Sequence, residues 1–374
     1  MRSVRWLSTM LVLIALAAVG EPLTAQTPSM VPTPLSQELD AQIKAYVDTA
    51  RREGGTHPED WRYELTDGVM VSQVTFYSNE QPAYAKLFFP AGFSPDGSWP
   101  AVVLGHGYNA LSIAIEKYGA RFAERGLVAM VIDYRSYGFS DPWVRLLEPE
   151  AGLARQREVI KEVPIELERT RLVHRRQVED IRAAISYLQG EPGVNPDQIG
   201  VWGSSYGGGV ILNVAGHDSR VKAVVGQVSG ANGLTAKGPA SISDELLQDQ
   251  IQRARTGRGA EVIGDFSFRT LIGLEARFWE REARPGRSIE RIPQTTAVLF
   301  ILAENEELSD PHGPDGPFEA VKHLKGPAAV FEIPHIGHFQ VYGGPPFEVS
   351  SNTAAEWFLH YLGGDTPVSE VAQP

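Results

Sequence analysis

Ser205 stands in Gly203-Ser204-Ser205-Tyr206-Gly207, a G-x-S-x-G pentapeptide followed by two further glycines. A serine hydroxyl is a weak nucleophile until geometry exposes it and a base takes its proton. The pentapeptide can supply the geometry. A sharp strand-to-helix turn would hold Oγ above a sheet, with glycines on either side because a Cβ there would strike neighbouring backbone. The helix N-terminus then faces the reacting carbonyl, and the N–H of Tyr206 is the expected first oxyanion donor. Ser204 lacks this glycine register. A glycine-rich turn with no chemistry is the bland alternative.

A second oxyanion donor is expected in Gly105-His106-Gly107-Tyr108, at the carboxyl end of an apolar run, where ligand sites of open α/β sheets lie. It is either the N–H or the phenolic O–H of Tyr108. In the G-x-S-x-G arrangement the base follows nucleophile and acid along the chain, so His106 is expected to be structural.

Nine histidines compete for the role of base. His323 and His360 fall in helical segments and His312 in a Pro/Gly-rich loop. His335 and His338 both follow a late apolar run. Gly337-His338-Phe339 is preferred, because the glycine lets the backbone turn the imidazole inward, and His335 is the reserve. The i, i+3 pair could instead ligate a metal, but no motif such as H-E-x-x-H accompanies it. No metal or organic cofactor is implied. The acid is expected after the run Ala297–Ala303, in Glu304-Asn305-Glu306-Glu307-Leu308-Ser309-Asp310. Its carboxylate must reach Nδ1 of the base, fixing the tautomer and stabilising the imidazolium. Glu306 has the best offset, Asp310 competes with it, and Glu304 and Glu307 are expected to face solvent.

The elements that position these groups follow from periodicity. Leu39, Ile43, Tyr46 and Val47 predict an amphipathic helix over Ser36–Arg51. Alternation through residues 63–90, broken at Ser78-Asn79-Glu80, predicts an antiparallel hairpin or meander. Short continuous apolar runs at Ala101–Leu104, Leu127–Ile132, Ile199–Trp202, Val221–Val228, Ala297–Ala303 and Ala328–Ile333 read as strands buried on both faces. Helical patterns lie between them, so the sheet is mostly parallel, with helices on both faces. Residues 137–172, long, charged and expected to be partly helical, and 230–292, expected as a helical lid, interrupt the alternation as insertions.

With 43% hydrophobic and 21% charged residues, the chain is ordinary globular protein. It has no Cys, which excludes disulfides, thiolate metal sites and a Cys nucleophile. A net charge of −12 disfavours nucleic acid and anionic lipid as partners. Arg2 and Arg5 precede the apolar run Trp6–Val19 and small residues near Gly20–Ala25, which reads as a cleaved signal peptide over 1–25 and export to periplasm or extracellular space. No membrane association is expected after cleavage. Residues 26–60 are expected as linker and helix, 61–363 as the main domain and 364–374 as a flexible tail.

In this order, G-H-G-Y, G-S-S-Y-G-G, A-E-N-E-E and G-H-F resemble the α/β-hydrolase superfamily. The stretch from Glu179-Asp180 through Gly190-Glu191-Pro192-Gly193 to Gly209 is similar to its dienelactone-hydrolase-like branch, near the cocaine-esterase and Xaa-Pro dipeptidyl-peptidase hydrolases. The resemblance implies the α/β-hydrolase fold, Ser205 as nucleophile, His338 as base, Glu306 as acid, and Tyr108 with Tyr206 as oxyanion donors. Dienelactone hydrolases use a Cys nucleophile and the family acid is commonly Asp, so this chain departs from the pattern at both. The expected activity is hydrolysis of small-molecule carboxylic esters by a serine enzyme. Amide cleavage by an aminopeptidase or dipeptidyl peptidase, and a non-catalytic binding scaffold, are the alternatives. Trp143, Phe278, Trp279, Phe339 and Tyr342 are candidates for an apolar substrate pocket. Asp133–Gly138 either borders the site or holds a structural Arg–carboxylate pair.

Overall fold

The computed structural model describes residues 30–53, 62–108, 110–147, 160, 162–169, 172–235, 244–256 and 284–363. The expected signal peptide, the tail, and Phe278 with Trp279 lie outside these residues. Strands β1 (Met70–Ser78) and β2 (Gln81–Phe89) form the predicted hairpin, joined by Asn79 and Glu80 at φ 47° and 66°. Positive φ at both turn residues matches the right-handed twist of the paired strands.

From Pro100 onward, strands with no polar face must be covered on both sides. These are β3 (Trp99–Gly105), β4 (Val128–Ile132), β7 (Val194–Ser204), β8 (Val221–Gln227), β9 (Ala297–Ala303) and β10 (Ala328–Ile333). With the hairpin they build one eight-stranded sheet in the order β1-β2-β4-β3-β7-β8-β9-β10. β1 pairs antiparallel with β2 and β2 antiparallel with β4; all pairings from β4 to β10 are parallel. Helices α3 (His174–Gly190) and α4 (Tyr206–Ala215) cover one face, through Ile181, Ile185, Leu188, Val210 and Ile211. The other face takes α1 (Gln37–Glu53), α2 (Glu116–Glu124) and, last in the chain, Gly344–Leu362, here α6, through Ile43, Tyr118, Phe122, Trp357 and Phe358. β3 leads to β4 on one side and neighbours β7 on the other. The chain order reverses there, which opens a crevice at the carboxyl ends of β3 and β7.

The first insertion corrects an expectation. Its described elements are strands, not helices: β5 (Trp143–Leu146) and β6 (Ile165–Glu168) form a separate antiparallel ribbon. One face pairs Val144 with Leu167 and Leu146 with Ile165, and the other carries an Arg145–Glu166 ion pair at 2.7 Å. The second insertion does contain a helix, α5 (Asp244–Thr256).

Candidate active site

β7 ends at Ser204 and α4 begins at Tyr206, so Ser205 makes the whole turn alone, at φ 54° and ψ −122°. A non-glycine residue in that region is strained by about 1–3 kcal/mol. The surroundings hold it there. Ser205 N–H donates to Gln227 O (2.8 Å), and the glycines allow backbone to meet backbone. A Cβ on Gly203 would lie 2.4 Å from Gly207 O, and one on Gly207 would lie 2.5 Å from the carbonyls of Gly105 and His106. The G-x-S-x-G spacing is therefore a packing requirement of this turn.

His338 reaches Ser205 from the loop after β10, with Nε2 3.0 Å from Oγ. Its Nδ1 lies 2.8 and 2.9 Å from the two carboxylate oxygens of Glu306, on the loop after β9. The acceptor on Nδ1 selects the tautomer with the proton there, leaving the Nε2 lone pair for the serine O–H. Side-chain exposures of 5% for His338 and 2% for Glu306 keep water from screening the pair. Asp310 is exposed and accepts the N–H of His312 (3.1 Å). His335 turns the other way, with Nε2 3.1 Å from Asp40 on α1.

The β3 loop lies against this turn, since a Cβ on Gly107 would sit 3.4 Å from Ser205 Cβ. That places the Gly107–Tyr108 backbone beside Ser205. The Tyr108 and Tyr206 rings meet edge to face at 6.1 Å and pack with Leu172 into a small apolar cluster. His106 is buried between Tyr134 and Tyr137 at 4.5 and 5.6 Å, and its Nδ1–H donates to Gly107 O. Burial pushes its pKa down, so the ring is neutral.

The phenol of Tyr206 belongs to a buried polar chain that sequence reasoning did not find. Its O–H donates to Gln177 Oε1 (2.7 Å) and accepts from His174 Nδ1 (2.8 Å). His174 Nε2 then accepts from Asn213 Nδ2 (2.6 Å), and Asn213 Oδ1 accepts from Ser288 Oγ (2.6 Å). Burial lowers the His174 pKa to about 4, so the imidazole is neutral and its donor and acceptor ends are fixed.

The remaining candidates are placed as follows. Phe339 is half-exposed, its ring 5.0 Å from that of His338 and edge-on to it. The Tyr342 hydroxyl is committed to Ser204 Oγ at 2.6 Å, and burial pushes its pKa up to about 12. Trp143 lies under the guanidinium of Arg176 at 3.8 Å and near Arg135 at 5.4 Å. Arg135 is the structural alternative: its backbone N–H and side chain both bind Asp180, and its Nη atoms reach Ser78 O, Arg176 O and Glu179. Glu304 and Glu307 face solvent as expected, and each also has a partner that the sequence did not reveal. Each lies at the surface, and each carboxylate caps a backbone N–H of the loop that carries His338, at His335 (2.7 Å) and His338 (2.8 Å). Two carboxylates three residues apart, ahead of a glycine-containing loop with unpaired N–H groups, were the available signal.

Comparison with known proteins meets this geometry from outside. The acetyl xylan esterase (AXE1) family profile matches residues 41–229, just over half of the chain, and the profile of the BAAT/acyl-CoA thioester hydrolase C-terminal region matches 177–308. An uncharacterized 31.7 kDa Escherichia coli protein from the traX-finO intergenic region is 23% identical, over 72% of this chain and 94% of its own. The quorum-quenching protein AidA of Acinetobacter baumannii is 25% identical, over 74% and 90%. Among solved structures, a hypothetical protein of Pseudomonas aeruginosa shares the fold, with a TM-score of 0.57 and 20% identity over 81% of this chain and 98% of its own. Profile and fold agree with the dienelactone-hydrolase-like resemblance of the sequence and make the protein a hydrolase of esterase or acyl-thioester type. The chain belongs to the acetyl xylan esterase (AXE1) family of the α/β-hydrolase superfamily.

Proposed function

We propose that this protein is an exported serine hydrolase that cleaves small carboxylic esters, acetyl esters foremost, through an acyl-enzyme on Ser205. The observation that carries the reading is one side chain meeting two others: His338 Nε2 at 3.0 Å from Ser205 Oγ, with Nδ1 on Glu306. The imidazole takes the serine proton as Oγ attacks the ester carbonyl. The N–H groups of Tyr108 and Tyr206 receive the oxyanion, and Glu306 stabilises the imidazolium. As the alcohol leaves, it takes the proton from Nε2. Water then gives a proton to the same nitrogen and attacks the acyl carbon, and collapse restores the Ser205 O–H and frees the carboxylic acid. Preference for acetate is inferred from the family profile. Export is inferred from the leader-like first residues.

The acyl-CoA thioester match over 177–308 supports a second reading, in which the leaving group is a thiol. The purified protein should be labelled by a fluorophosphonate, and Ser205→Ala should abolish labelling. It should hydrolyse p-nitrophenyl acetate faster than acetyl-CoA or an Xaa-Pro anilide. Folded protein that takes no label refutes the serine reading; faster turnover of the thioester or the anilide transfers the substrate assignment to that class.

A further inference from the structure

The loop carrying His338 has three backbone N–H groups that neither strand nor helix takes up. The His335 N–H donates to Glu304 Oε2 (2.7 Å), the Gly337 N–H to Gln340 Oε1 (2.6 Å) and the His338 N–H to Glu307 Oε2 (2.8 Å). Adjacent acids of the β9 loop thus grip one histidine at two places, Glu306 at the ring and Glu307 at the backbone. We propose that Glu307 is a positioning residue for the base: its carboxylate fixes the backbone of His338 so that the ring reaches Glu306 and Ser205 at once. The inference rests on the proposed Ser205–His338 chemistry and extends it.

The geometric demand is strict. Both ring nitrogens are engaged, at 2.8 and 3.0 Å. With its backbone released, the side chain has two torsions to satisfy two partners, and a misplacement of about 1 Å costs about a hundredfold in rate. Gly337 supplies an independent observation. A Cβ there would lie 2.7 Å from Glu307 Oε2 and 2.8 Å from Gln340 Oε1, and its φ is not in the left-handed region. The backbone would accept alanine at 337, but both acceptors would have to move off the N–H groups they hold. The glycine leaves room for the clamp.

The test compares Glu307→Ala, Glu307→Gln, Gly337→Ala and the Glu307→Ala/Gly337→Ala double variant on p-nitrophenyl acetate. The low-field His338 Nδ1 proton is followed by NMR and assigned by its loss in His338→Gln. Glu307→Ala should lower kcat about tenfold or more with KM within about twofold, because the base and not the substrate site is disturbed. Glu307→Gln keeps an oxygen acceptor and should recover to within about threefold of the parent. Gly337→Ala should resemble Glu307→Ala, and the double variant should be little worse than either single one, as for two routes to one lost contact. Wild-type kcat in Glu307→Ala, or Glu307→Gln as impaired as Glu307→Ala, overturns the proposal. If the parent protein hydrolyses no ester, the ester assignment fails on its own and the Nδ1 proton decides for Glu307. Sharp in the parent and Glu307→Gln but broadened in Glu307→Ala, it supports the clamp; unchanged in Glu307→Ala, it refutes it.

Discussion

His338 Nδ1 sits between both carboxylate oxygens of Glu306, at 2.8 and 2.9 Å. A carboxylate so placed can only accept, so Nδ1 carries the proton and the Nε2 lone pair is left facing Ser205 Oγ, as the proposed reaction requires. Glu306→Gln can instead offer its NH₂ to Nδ1 and favour the other tautomer. It should lower kcat about a thousandfold or more while leaving the fold intact. Asp310→Asn, at an exposed carboxylate bound to a neighbouring N–H, should stay within about twofold of the parent. Steady-state kinetics on p-nitrophenyl acetate check both, and the reverse ranking would move the acid to Asp310.

Tyr206→Phe separates the two functional groups of that residue. The backbone N–H proposed for the oxyanion is retained, while Gln177 Oε1 loses its donor and His174 Nδ1–H its acceptor. Stability should fall by about 1–3 kcal/mol, read from urea unfolding, with kcat within about threefold. A loss of several orders of magnitude in kcat would show that the phenol acts in the reaction.

What could be read from the sequence was what short-range pattern encodes. Buried strands announced themselves as continuous apolar runs such as Val298–Ala303, and the Ser205 turn is confined to Gly203–Gly207. The loop carrying His335 and His338 was harder. His335 and His338 differ in direction because Asp40, on a helix at the other end of the chain, takes the first and Glu306 takes the second. The chain Gln177–Tyr206–His174–Asn213–Ser288 joins α3, α4 and the turn at 285–291, so no window of sequence contains it. The β5–β6 ribbon was missed because strands of four residues are too short to show a period, and Arg145 and Glu166 resemble a charged helix face.

Arg135 and Asp180 form a buried pair with side chains 3% and 1% exposed, tied also by Arg135 N–H to Asp180 Oδ2 at 3.0 Å. Removing the guanidinium strands a carboxylate away from water. Arg135→Ala should therefore lower unfolding free energy by about 3–5 kcal/mol in denaturant titrations. Arg135→Met combined with Asp180→Leu should recover part of that loss, because no charge is then left buried. If the double variant is the less stable, the pair contributes net attraction beyond its desolvation cost.

His174 makes stability depend on pH in a definite direction. Its native pKa is lowered by burial to about 4, against the ordinary 6.5 that the unfolded chain retains. Above pH 6.5 both states hold the ring neutral and its full contribution is present. As pH falls from 6.5 towards 4, the unfolded state gains a proton that the native state refuses, and stability is lost; below about 4 the loss is complete. A shift of this size corresponds to about 3 kcal/mol. Protonation would also turn Nε2 from acceptor to donor against Asn213 Nδ2, so the buried chain breaks at the His174–Asn213 link. Unfolding free energies at pH 7 and pH 4.5 should differ by less in His174→Gln than in the parent, since glutamine cannot charge. An equal difference in the two proteins would place the acid sensitivity elsewhere.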